Sequence, residues 1–333
     1  MVRKKSYKRS ILAIAVVILS LAFPILFSSN DYIIRVGVFS EIYVLLAISL
    51  NLISGVAGQI SMGHVAFYAL GAYASALLST KAGWPFLLCL VGAVIVSAIG
   101  GVIIGIPSLR LQGGYLAIIT IGFAEVVRLT LLNWIDFTRG ALGIVNIARP
   151  EFFGFTFSTN THFWYLILVF IFLSYFILQN LIQSRFGRNL KAIKNDEIAA
   201  EAMGINVYRH KVIAFVVSAA IAGIAGSLFA HYMLYIAPAN FTSDQSTIIL
   251  SMVVLGGLGS MPGAVVAAIV LTALPEALRD FSKYRMLVYG FLLIVIMLSK
   301  TTAWSETRIG LWLSQKFHRR ETPIVSTEEG GVQ

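Results

Sequence analysis

Along the chain, apolar residues gather in runs of about 16 to 22, separated by short polar or glycine-containing breaks; at about 1.5 Å per residue, a helix of that length crosses roughly 30 Å of hydrocarbon. The pattern predicts helical spans over residues 10–28, 36–54, 61–80, 85–106, 113–133, 162–183, 211–236, 243–257, 262–279 and 285–300. A membrane barrel would show ten-residue segments of alternating hydrophobicity instead. The predicted fold class is therefore all-α, a polytopic transmembrane helical bundle of about ten spans, with eight to ten compatible with the pattern. The run 243–257 is short for a full crossing and can be read as half of a broken helix.

Composition agrees. With 58% hydrophobic and 12% charged residues and a mean hydropathy of +0.85, the chain has too little polar side chain to cover a soluble globule. The formal net charge of +10 follows the membrane and does not point to nucleic acid. Arg3, Lys4, Lys5, Lys8 and Arg9 precede the first run, further basic residues lie between Arg185 and Lys211, and others follow Lys300. The positive-inside rule places these segments, and both termini, in the cytoplasm. Residues 1–28 have the outline of a signal peptide, but no A-x-A site follows, so they read as an uncleaved first span. Residues 1–300 form one transmembrane domain that includes a cytoplasmic segment at 185–210, and residues 301–333 form a cytoplasmic tail. One cysteine, Cys89, excludes a disulfide framework and a cysteine metal site.

Candidate chemistry is sparse. The sequence has no G-x-x-x-x-G-K-[ST] loop, no G-x-S-x-G turn and no His-x-x-x-His pair, so an embedded enzyme is not indicated and no cofactor is expected on this chain. Any ATP-driven work has to come from a partner. The most deeply placed charges read as Glu125 and Arg128, which share a helix face and can pair. That face is expected to point into the bundle or a wet cavity, either as a packing ion pair or as part of a transport path. Gln59, Ser61 and His64 cluster where the third span begins, behind glycines 55 and 58, where free backbone N–H groups would suit a carboxylate or the side chains would cap a helix. Two glycine breaks resemble each other, Gly58–Gly63 and Gly257–Pro262, as internal repeats or as simple turns. Small residues every fourth position, Ala93, Ser97, Gly101 and Gly105 in one span and Ala219, Gly223 and Ser227 in another, predict close helix packing. The external segment from Trp134 to Thr161 reads as a docking surface or an interfacial lid. Between Arg185 and Ile205, Leu190, Ile193, Ile198 and Met203 alternate with charges in one or two surface helices suited to a partner's groove or to a lipid surface.

The stretch Ile198-Ala199-Ala200-Glu201-Ala202-Met203-Gly204 resembles the Glu-Ala-Ala-x-x-x-Gly coupling loop of ATP-driven importer permeases, with isoleucine in place of the leading glutamate. Together with Asn51–His64, Gly122–Glu125 and Gly256–Gly263, it is similar to the LivM type of branched-chain amino-acid permease. The resemblance implies a multi-pass inner-membrane subunit forming a path for leucine, isoleucine and valine. Gln59, Ser61, His64, Glu125 and Arg128 are its candidate path residues, and Leu190, Ile193, Ala199, Ala200 and Gly204 its coupling residues. It also implies partners: a LivH-like second permease, two ATP-binding subunits that hold ATP and magnesium, a periplasmic or lipid-anchored binding protein, and membrane lipid. Arg139, in a stretch that is often glycine-rich in the family, leaves urea, short amides and other neutral amino acids open as substrates. An ion-coupled transporter using Glu125 and His64 is a further alternative.

Overall fold

A computed structural model describes residues 20–27, 30–107, 113–152, 154–277 and 290. All of the predicted span 285–300 except residue 290, the first half of 10–28 and the boundary at residue 300 lie outside the described residues. Residues 20–26 are helical. They are followed by α1 (Asp31–Leu50), α2 (His64–Ala82), α3 (Phe86–Gly105), α4 (Gly114–Asn133), α5 (Asn160–Gln183), α6 (Arg185–Asn195), α7 (Glu197–Ala202), α8 (Val207–Met233), α9 (Ser243–Gly256) and α10 (Met261–Ala277). The apolar runs thus become helices within a few residues of the expected bounds. Among the described residues, five helical segments are long and apolar enough to cross a membrane: Asp31–Val56, α3, α4, α5 and α8. The chain is a multi-pass helical membrane protein, and α9 is the short helix foreseen at 243–257.

Local chemistry sets the ends of these helices. Asn30 accepts from the N–H groups of Tyr32 and Ile33 at the start of α1, and Thr159 accepts from His162 N–H at the start of α5. Gly83, at a φ of 65°, closes α2 in the left-handed conformation that suits glycine.

At the centre, α8 lies between α2 and α3, and the two predicted small-residue faces meet there. A Cβ on Gly101 would stand 2.9 Å from the Phe215 carbonyl, and Gly223 abuts both Ala93 and Ser97 of α3 and Gly71 of α2. Ser97 Oγ donates to Phe67 O at 2.9 Å, which fixes α3 to α2. Lipid offers no hydrophobic reward for helix contact, so this close backbone approach is what gains dispersion energy. The stripes are therefore contacts within the chain. α1 packs on α5, α8, α9 and α10, with Gly37 beneath the Trp164 ring. α1 and α8 are mostly buried, whereas α3, α4 and α5 expose most of their surface.

The segment between α4 and α5 is folded onto the bundle. It contains a one-turn helix, Ile135–Thr138, and the strands β1 (Ile144–Val145), β2 (Glu151–Phe152) and β3 (Phe155–Thr156). β1 pairs antiparallel with β4 (Tyr235–Ile236), and β2 with β3. His231 Nδ1–H donates to Ala148 O at 2.6 Å, while its Nε2 lies 2.9 Å from Ser75 Oγ. Arg139 adopts a φ of 62°, a left-handed conformation that glycine adopts more readily.

Candidate functional site

Helix α1 does not end as an α-helix. From Asn51 to Val56 it widens into a π-turn, and the chain then breaks until α2 begins at His64. The second break, between α9 and α10, lies against the first. Asn51 Oδ1 accepts from Gly259 N–H at 2.9 Å, and Asn51 Nδ2 reaches Met261 Sδ at 3.4 Å. The second glycine segment is thus held against the turn just before the first, although more than 200 residues separate Asn51 from Gly259. Gly55 has to be glycine, because a Cβ would press on the backbone of Gly259.

The backbone at the start of α2 differs from the expectation of free donors. Met62 N–H is bonded to Thr120 Oγ1 at 3.0 Å, Val65 N–H to Ser246 Oγ at 3.1 Å, and Ala66 N–H to Gly63 O at 3.0 Å. The break is enclosed by α4 and α9, whose hydroxyls supply the caps. What remains unpaired is side-chain chemistry. Gln59, Ser61 and His64 are 7%, 1% and 0% exposed, and Gln59 Oε1, Ser61 Oγ and His64 Nδ1 have no protein partner among the described residues. Ser49 Oγ donates to Leu46 O at 2.8 Å and lies 2.7 Å from His64 Nε2, which places the imidazole proton on Nε2 and leaves Nδ1 as an acceptor lone pair. A buried polar atom without a partner is costly, so these three atoms are places where water or a polar solute gains by bonding.

Glu125 and Arg128 do pair, with Arg128 Nε 2.9 and 3.1 Å from the two carboxylate oxygens and Nη2 against Oε1. The pair does not join the cluster. Thr120 faces the break, and Glu125 lies roughly 140° further round α4 at about 100° per residue. Their side chains are 39% and 26% exposed, so the face expected to point inward turns out of this chain. An apolar helix carrying two charges on an uncovered face needs a protein neighbour or a watery path there.

One residue that the sequence reading missed is Glu41, on α1. It is 5% exposed, deeper than Glu125, and neither of its carboxylate oxygens has a partner among the described residues. The signal was there to be read, since it is a lone acid inside an apolar run. Asn51 and Ser49, the clamp and the imidazole's neighbour, were also missed; their roles depend on contacts far away in the chain.

The polar segment 185–205 forms two helices. Ser184 caps α6 by accepting from Phe186 N–H, and Asp196 caps α7 by accepting from Ala199 N–H. Gly204, at a φ of 81°, turns the chain into α8. Leu190, Ile193, Ala200 and Val207 are buried, and the last three pack together as a small core, so three of the expected coupling residues anchor the segment to the bundle. Lys211 Nζ donates to both oxygens of Glu197 at 2.7 and 2.8 Å, tying α7 to α8. The large apolar side chains presented outward are Ile198 and Met203, 81% and 82% exposed, with exposed Ala199 between them.

Residues 32–297 match the family model described as branched-chain amino acid transport system / permease component. The chain belongs to this family. It is 37% identical over 314 residues to the high-affinity branched-chain amino acid transport system permease protein LivM of Salmonella typhimurium, a match that covers 87% of this chain and 73% of the relative. LivM of Escherichia coli K12 gives the same identity and coverage. The permease protein LivH of Escherichia coli K12 is 28% identical over 283 residues, or 78% of this chain and 90% of LivH. No solved structure matches. The LivM-type resemblance is therefore borne out, and the matched region of the permease includes both helix breaks and the α6–α7 segment.

Proposed function

We propose that this permease is one of two membrane subunits of an ATP-driven inner-membrane importer that passes leucine, isoleucine or valine. The observation that carries the reading is the α6–α7 segment. It is anchored through Leu190, Ile193, Ala200 and the Glu197–Lys211 pair, yet it holds Ile198 and Met203 out toward solvent. An apolar pair this exposed, on a rigid polar surface, fits a groove on a partner. Two ATP-binding subunits, holding ATP and magnesium, would dock there and on the LivH-like permease; a periplasmic or lipid-anchored protein would deliver the substrate. The Glu125–Arg128 face is assigned to the second permease or to the path between the two subunits, and the acceptor atoms of Gln59, Ser61 and His64 to a wet stretch of that path.

The test is co-purification and uptake with Ile198→Asp and Met203→Asp. Both variants should fold and melt like the parent chain, because neither residue is packed, while losing the ATP-binding subunits and leucine uptake. Unchanged uptake in both variants overturns the docking assignment. Glu41 favours a second reading, an ion-coupled carrier, because a buried carboxylate without a partner is a proton or cation site in such proteins. Leucine accumulation by this chain alone, abolished by an ionophore, would select that reading.

A further inference from the structure

In an α-helix the Gly55 carbonyl would accept from the Gln59 N–H, four residues on. Here Gln59 N–H bonds to Ile53 O at 3.0 Å and Ala57 N–H to Leu52 O at 3.0 Å, so the Gly55 carbonyl is released from the widened turn. Lys194, in the last turn of α6, donates to it through Nζ at 2.8 Å. A charged donor on the carbonyl end of a helix makes a strong hydrogen bond and complements the helix dipole. The lysine stem crosses Gly58, which has a φ of +72°; a Cβ at Gly58 would stand 2.6 Å from Lys194 Cγ. Behind Gly55 lies the other break. A Cβ on Gly259 would be 3.3 Å from Gly55 O, and Asn51, one turn before Gly55, holds the Gly259 N–H. A single side chain from the cytoplasmic segment therefore ends on the backbone knot that joins α1, α9 and α10.

We propose that Lys194 is the positioning residue through which displacement of α6–α7 reaches both helix breaks together. The small core of Ile193, Ala200 and Val207 and the Glu197–Lys211 pair join α6 and α7 to each other and to the first turns of α8, so the segment shifts together with the start of α8. A push on Ile198 and Met203 therefore shifts Lys194, and Lys194 pulls the Gly55 carbonyl and with it the Asn51–Gly259 clamp. The stretch from Gly58 to Gly63, with Gln59 and Ser61, is displaced in the same step. This inference rests on the docking of ATP-binding partners proposed above.

The experiment uses the complete complex in proteoliposomes, with wild type, Lys194→Met and Lys194→Arg prepared side by side, radiolabelled leucine as the probe and ATP hydrolysis recorded in the same vesicles. For Lys194→Met the expected result is about a tenfold fall in leucine taken up per ATP hydrolysed, the scale of one lost charged hydrogen bond, with hydrolysis within about twofold of wild type. Lys194→Arg, which keeps a charged donor at that reach, should restore most of the ratio. A lysine that only satisfied a carbonyl would leave the ratio alone. Wild-type uptake per ATP in Lys194→Met overturns the proposal, as does loss of the ATP-binding subunits from that variant, which would make Lys194 a partner contact. If the wild-type complex itself shows no ATP-dependent uptake, the importer reading fails and the link fails with it.

Discussion

Gly223 is a position where substitution should be felt directly in stability. It sits in α8 between α2 and α3, and a Cβ there would stand 2.7 Å from Ser97 Cβ and 2.9 Å from the Ala93 carbonyl. Neither neighbour is the free end of a flexible side chain, so Gly223→Ala has to push two helices apart. Overpacking of this kind costs about 1 to 3 kcal/mol. For a chain of this size that corresponds to a fall in melting temperature of roughly 2 to 10 °C. Gly122, inside α4, is the control: nothing lies within 4 Å of a Cβ there, and replacing a helical glycine with alanine gains about 0.5 to 1 kcal/mol. The chain supplies its own probe. Its single cysteine, Cys89, is 0% exposed in α3, so a fluorogenic maleimide reports opening of that helix in detergent. If Gly223→Ala melts at or above wild type, or if Gly122→Ala falls as far, backbone contact is not what holds α8 in place.

The same geometry gives three further outcomes. Glu125→Gln and Arg128→Gln should each lower leucine uptake, and the double variant should be less impaired than either single one, because each single change leaves an unpaired charge on α4; a double-variant loss equal to the sum of the two single losses would show that each residue acts separately. Lys211→Met should release α7, raising amide hydrogen exchange across 185–206 while leaving α3 and α5 protected, since about 1.5 to 3 kcal/mol of charged hydrogen bonding is removed locally; uniform exchange across the chain would contradict this. Glu41→Gln should raise the melting temperature, because it replaces a buried acid lacking partners among the described residues with a neutral group of similar shape; a fall would reveal a donor serving the carboxyl group.

The helices were legible because hydrocarbon thickness imposes length and apolarity on every crossing, so α3, α4 and α5 lie close to where the runs of residues place them. The stripes at Ala93–Gly105 and Ala219–Ser227 were legible as faces, but nothing local states that each is the other's partner. The site was half visible. Glycine and polar residues marked Gln59, Ser61 and His64, yet the capping of Met62 and Val65 by Thr120 and Ser246 comes from helices far along the chain. Lys194 looked like any basic residue of a cytoplasmic segment, because its meaning depends on a carbonyl freed 139 positions earlier. Glu41 was the reverse case, a plain local signal overshadowed by the more conspicuous pair on α4.

The π-turn at Asn51–Val56 has the arithmetic of an insertion. Such a turn holds about one residue more than an α turn, and each added residue rotates the chain beyond it by about 100°. Past the turn the chain is no longer helical, and the ordinary sorting of side chains is inverted there. Gln59 and Ser61 are enclosed at 7% and 1% exposure, while Ile60 between them faces out at 44%. An oily residue outside and two polar ones inside is the arrangement of a wall that is wetted from within. The break that follows the widened turn thus encloses two polar side chains at the end of an apolar helix.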